Sequence, residues 1–179
     1  LAVAMTALGL EVEKIEDRSK DLQPFIIAHV VEARPHPNAD KLRVCKVDTG
    51  KAIVEVVCGA PNARSGMKGV FAPIGSYIPG TKIHLKASVI SGIESHGMMC
   101  SMQEMGLGQD HDGIIEIAAD APIGAGFAAY MNFDDPLIEI AVTPDRADCL
   151  GVRGIARDLA AAGYGILRSL SPKQEIGNF

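Results

Sequence analysis

Short apolar runs separated by turn residues dominate the middle of the chain, and helix-period apolar spacing is confined to its two ends. Residues 25–33, 42–47, 53–57 and 70–74 are rich in Val and Ile, and each run predicts a strand. Between them stand Pro35-His36-Pro37-Asn38-Ala39-Asp40, Asp48-Thr49-Gly50, Gly59-Ala60-Pro61-Asn62 and Ile78-Pro79-Gly80, which put Pro, Asn or Gly where the backbone must reverse. The period of two breaks at Val44-Cys45 and from Val54 to Val57, as expected of strands buried on both faces or bulged at barrel corners. The pattern is that of an all-β barrel or sandwich, with residues 114–117 and 137–142 as later strands.

The ends read differently. Residues 1–9 are Ala/Leu-rich and finish on Gly9, the tail of a helix with its C-terminal glycine. Val12 and Ile15 suggest a short exposed strand or connector, and the polar stretch from Ser19 to Pro24 marks a domain boundary. After Thr143-Pro144, Val152, Ile155, Ala156 and Leu159 fall at i, i+3, i+4 and i+7, with Asp148 as the expected N-cap and Gly163 closing the helix. The fold class is therefore α+β: residues 1–22 and 133–168 form one small α/β unit, the β-rich residues 23–132 are inserted between them, and 169–179 read as linker.

Of the 179 residues, 47% are hydrophobic and 22% charged, the balance of a globular chain with a core to bury. No apolar run nears the roughly 20 residues of a membrane helix, and no secretory signal opens the chain, so the cytoplasm is the expected compartment. The chain starts at Leu1, without an initiating methionine and inside an apolar stretch, which reads as a fragment of a longer protein. Cys45, Cys58, Cys100 and Cys149 form no C-x-x-C pair and read as small buried thiols. The formal charge of −5 hides a partition. From His29 to Gly92 nine basic residues face four acids, a local +5; from Ile93 to Asp148 eleven acids face Arg146 alone, a local −10.

No phosphate loop, dinucleotide fingerprint or H-E-x-x-H helix is present. His29, His36, His84, His96 and His111 are scattered and complete no metal set. Ser95-His96 near Cys100 lacks an orienting acid, and Asp110, Asp112 and Glu116 around His111 read as a solvated turn rather than an ion site. No catalytic residue and no metal ligand is assigned. The basic segment is the stronger lead: Lys41, Arg43 and Lys46 follow the Pro-Asn turn, Arg64 and Lys68 lie in the next loop region, and Lys82 and Lys86 come later. On a small barrel such cations neutralise phosphates without reading sequence. Phe25, Phe71 and Tyr77 are too few, after the core takes its share, to predict a stacking platform. Backbone and shape reading of a folded RNA is expected, and DNA is not.

His36-Pro37-Asn38-Ala39-Asp40-Lys41-Leu42, Val47-Asp48-x-Gly50, Val57-Cys58-Gly59-Ala60-Pro61-Asn62 and Ser95-x-Gly97-Met98-x-Cys100-Ser101 resemble the EMAP-type tRNA-binding OB domain. Two flanks narrow the likeness to the N-terminal region of bacterial phenylalanyl-tRNA synthetase β chains: residues 7–13, and Ile138-Glu139-Ile140 through Thr143-Pro144-Asp145-Arg146 to Gly151 with 154–158. Asp145 stands where that family commonly has Asn. The resemblance implies a five-stranded OB barrel, with Asn38, Asn62, Ser95, Met98 and Ser101 joining the basic residues as tRNA-binding candidates. Gly97 as a turn and Met98 as core filler is a structural reading of the same motif. It further implies an (αβ)₂ enzyme that uses ATP and Mg²⁺ to attach phenylalanine to tRNA, with its catalytic and editing residues outside this chain, and with the α subunit and a second β subunit as partners. A packing module without tRNA contact is the alternative; a free-standing dimeric tRNA-binding protein is disfavoured by the helical flanks.

Overall fold

A computed structural model describes residues 1–171; most of the linker expected from Ser169 lies outside the described residues. The chain forms, in order, α1 (Ala2–Ala7), β1 (Glu11–Glu16), α2 (Ser19–Leu22), β2 (Ile26–His36), β3 (Ala39–Asp48), β4 (Ile53–Cys58), β5 (Lys68–Pro73), β6 (Tyr77–Ile78), β7 (Ile83–His84), β8 (Ser88–Ile90), β9 (Ile93–Ser95), β10 (Gly97–Met99), β11 (Glu116–Ile117), α3 (Phe127–Tyr130) and β12 (Leu137–Ala141). A 3₁₀ segment, Pro144–Cys149, and α4 (Val152–Ala161) follow. Contacts divide it into two units: Asp17–Pro136, and Leu1–Glu16 with the chain from Leu137 onward.

The larger unit is a nearly closed antiparallel barrel in the order β10-β5-β2-β3-β4, with β11 also on β5. β2 makes this possible. Its first half pairs β5, from Ile26 opposite Phe71 to His29 opposite Lys68, and its longer remainder pairs β3. The register shifts between Val30 and Glu32, and such an irregularity bends a strand so that it can serve two neighbours around a corner. Closure comes at β4, where the His96 N–H donates to the Glu55 carbonyl at 2.9 Å and the Val57 N–H donates to the Ser95 hydroxyl at 3.1 Å.

The broken alternation now has a cause. Phe71 points into the cluster of Ala28, Val30, Cys45, Val47, Val56 and Cys58, while its neighbours Val70 and Ala72 point into a second cluster with Leu22, Phe25, Cys100, Met105 and Phe127. A strand with apolar layers on both faces needs no polar alternation. Burying a Phe or Val side chain of this kind contributes about 1.5–3 kcal/mol. Leu22 ends a single helical turn, α2, in the polar stretch read as a domain boundary.

In the other unit, β1 pairs antiparallel with β12. Met5, Leu10 and Cys149 are buried there against Val12, Ile138, Ile140, Val142, Ile155 and Leu159. Gly9 and Gly163, at φ +79 and +84, follow the two helices as expected. The N-cap differs from expectation: Gly151 holds that position. Asp148 lies in the 3₁₀ segment, where its carboxylate is bound by the guanidinium groups of Arg146 and Arg157. Arg146 also bonds Asp158 and reaches the Leu8 carbonyl at 3.2 Å, pinning α4 and the 3₁₀ segment to the end of α1.

Candidate nucleic-acid interface

The tight turn at Pro37-Asn38 starts β3 with its cations facing out. Lys41 is exposed and Arg43 half-buried, opposite Pro35 on β2 and Cys58 on β4. Beyond Cys58 the loop of Gly59, Ala60 and Pro61 stands across from them and closes a cavity of about 440 Å³ with Pro35, Asp40, Lys41, Leu42 and Arg43. The same loop walls a larger neighbouring cavity of about 670 Å³, whose other walls are Met98, Met99, Ser101 and Glu104 and residues 111–114. Asn62 anchors this arrangement. Its amide donates to the Ile114 carbonyl at 2.9 Å and its Oδ1 accepts the Ile114 N–H at 2.9 Å, so loop 59–62 and segment 111–114 are held at a fixed spacing.

The candidate residues fall into three groups. Lys41, Arg43, Met98 and Ser101 line the two adjoining cavities. Several others are engaged within the barrel. Arg64 makes a two-pronged bond to Glu116 at 2.7 and 2.8 Å, and this bonding, more than the charge alone, holds the Glu116 carboxyl down at about 2. Lys46 lies 2.7 Å from Glu32, Lys68 donates to the Ala121 carbonyl at 2.6 Å, and Asn38 donates to the Ser91 carbonyl at 3.3 Å. Ser95 is 3% exposed, its hydroxyl donating to the Gly97 carbonyl at 3.0 Å while accepting from Val57. Ser101 is also buried and bonds Glu104 through both its hydroxyl and its N–H. Met98 is half-buried against the second apolar cluster. Lys82 and Lys86 form the third group, on and beside the β6–β7 hairpin.

Among the described residues Lys41, Arg43, Lys82 and Lys86 have no ion-pair partner. Carboxylates share the larger cavity, with Glu104 and Asp112 across from the loop. Of the motif from Val57 to Asn62 only Asn62 is a candidate from sequence; Gly59, Ala60 and Pro61, which read as a turn, wall both cavities. The partners Glu32 and Glu116 lie 14 and 52 residues away from the cations they engage, so no local pattern announces them. The four cysteines are buried and unpaired. Burial pushes the Cys45 thiol up to about 11, with Cys58 beside it adding to the effect, and raises Cys58 and Cys100 as well, so none is poised as a nucleophile.

Residues 25–126 match the family described as "Putative tRNA binding domain". The chain belongs to this family. The tRNA-binding domain thus covers the barrel and both cavities. Over its whole length the chain is 55% identical to the phenylalanine–tRNA ligase beta subunit of Bradyrhizobium diazoefficiens and 55% identical to that of Paramagnetospirillum magneticum. Over 92% of its length it is 58% identical to that of Rhodospirillum rubrum. It spans 23%, 22% and 20% of these relatives, about a fifth of their length. A methionyl-tRNA-synthetase-related protein from Pyrococcus horikoshii matches 56% of the chain, and 85% of its own, at 25% identity and a TM-score of 0.42. Among the described residues no helix is long and apolar enough to cross a membrane.

Proposed function

We propose that this chain is the tRNA-binding and scaffolding part of a phenylalanine–tRNA ligase beta chain, and that Lys41 and Arg43 carry its grip on RNA. One observation carries this: in a tRNA-binding domain, these two cations stand unpaired beside an open cavity, while Lys46, Arg64 and Lys68 are engaged elsewhere in the barrel. An unpaired cation can trade its counterions for a phosphate; an engaged one must first give up a partner. Asn62, Met98 and Ser101 serve by shaping the adjoining cavity, and Asn38 and Ser95 by holding β8 and β9 to the barrel. Lys82 and Lys86 are free to add phosphate contacts.

In the full ligase, phenylalanine is joined to tRNA with ATP and Mg²⁺ in an (αβ)₂ assembly in the cytoplasm. The chemistry belongs to segments beyond this chain. The barrel is an insertion between two ends that make their own small α/β unit, a layout suited to bracing as well as binding.

Titration of the 179-residue chain with tRNA over a salt series tests the reading. The logarithm of affinity should fall with log salt by about 0.7–0.9 per phosphate neutralised. Lys41→Ala and Arg43→Ala should each lower affinity and flatten that slope by about one. Lys68→Ala should flatten it less, its ammonium being held by a carbonyl. Absence of measurable binding at low salt would favour the packing module.

A further inference from the structure

From Val56 to Ile93 the chain contains no Asp or Glu, and within that stretch β6 and β7 form a hairpin whose inward and outward faces differ sharply. The inward face is fixed. Ile78 is fully buried, the Gly80 N–H donates to the Glu104 carbonyl at 2.9 Å, and a Cβ on Gly80 would sit 1.7 Å from the Gln103 carbonyl oxygen. Only a glycine lets the hairpin lie this close to loop 103–106. Leu85 N–H to Ser76 carbonyl, and Gly75 N–H to Leu85 carbonyl, both at 2.8 Å, close its base. On the outward face Tyr77 and His84 are cross-strand partners, both exposed, with ring centroids 5.3 Å apart and planes inclined at 54°. Lys82, in the turn, and Lys86, just past β7, flank them and have no ion-pair partner among the described residues.

We propose that this hairpin is a second RNA contact, at which an unpaired base of the bound RNA stacks on the Tyr77–His84 pair while Lys82 and Lys86 hold the neighbouring phosphates. The chemistry matches nucleic acid on both counts. Aromatic rings offer a stacking surface that any base can use, and the charged side chains the hairpin itself supplies beside them are lysines. The rigid base means that little ordering cost falls on binding. Exposed Ile83 offers a protein segment an apolar contact, but such a segment would need its own carboxylates to meet the two lysines. This inference rests on the tRNA-binding reading and assigns to it a base-contacting site that the sequence did not predict.

The test uses the full 179-residue chain with three probes: tRNA, a single-stranded oligoadenylate, and inorganic polyphosphate, which carries the charge without bases. Tyr77→Leu should weaken oligoadenylate binding about tenfold, within the range of one lost base stack, and leave polyphosphate binding unchanged. Tyr77→Phe should retain affinity. Lys82→Ala with Lys86→Ala should weaken all three probes and flatten the salt slope. Because the chain has no Trp and three Tyr, oligoadenylate should also quench tyrosine emission, and Tyr77→Leu should remove most of that quenching. If tRNA binds normally but Tyr77→Leu changes neither affinity nor quenching, the hairpin contact is wrong and the tRNA-binding reading stands. If tRNA does not bind while oligoadenylate still quenches Tyr77, the tRNA-binding reading fails and the stacking surface survives as a general RNA site. Binding of a ligase segment at the hairpin that excludes oligoadenylate would also overturn the proposal.

Discussion

Gly97 occupies a point where no side chain fits: a Cβ there would lie 2.3 Å from two ring atoms of Phe71 and 2.9 Å from the Ala72 carbonyl oxygen. Phe71 is packed in the barrel core and cannot swing away freely. Gly97→Ala should therefore destabilise the fold by about 1–3 kcal/mol, the usual range for overpacking. A urea midpoint unchanged from the parent would show that the ring gives way. The Ser95-to-Ser101 motif illustrates what single residues disclose in sequence. Gly97 reads as a turn; it instead opens β10 opposite Pro73, and its missing side chain makes room for the Phe71 ring. That Ser95 is sealed between Val57 and Gly97 was not legible, since the motif says nothing of what lies 38 residues upstream. Asp148 misled for a related reason: an acid before an apolar helical stripe suits an N-cap, yet two arginines compete for it with charge.

Among the elements, the long strands were readable because Val and Ile concentrate in them, while β6 to β10 were not. Those strands are two or three residues long, too short for any periodicity to register. One contact between elements carries a pH signature. Arg64, in the loop after β4, grips Glu116 at the start of β11, and the carboxyl's folded pKa of about 2 lies below its ordinary value of 4.5. A depressed carboxyl stabilises the fold fully above the unfolded value and loses that contribution as pH drops toward the folded one. The advantage of the native chain over Glu116→Gln should then be complete above about pH 5 and shrink between about pH 4.5 and 2. Thermal midpoints of the two proteins across that window measure it. A gap independent of pH would mean that the pair contributes through shape rather than charge.

At the scale of the whole molecule, the opposite charges of the two halves of the sequence do not map onto opposite faces. Glu116 of the acidic segment grips Arg64 of the basic one, and Glu104 and Asp112, also acidic-segment residues, line the same cavity as the loop of Gly59, Ala60 and Pro61. Counting charges along the chain identified the nucleic-acid character, while the sorting of free from engaged lysines needed the fold. The proposed function puts the chemistry of aminoacylation outside these 179 residues. The pure 179-residue chain should catalyse no ATP–pyrophosphate exchange with phenylalanine, and turnover above that of a buffer blank would relocate the active site.

The barrel's circumference is continuous except along one line, where β4 meets the approach to β10 through the His96–Glu55 backbone bond and the Ser95 hydroxyl splice. A wall fastened this way has a natural parting line. Breathing motions should begin there, unrolling the barrel into a sheet that stays whole through β5, β2 and β3. The amide protons of Val57 and His96 would then meet solvent well before those of the β2–β3 ladder.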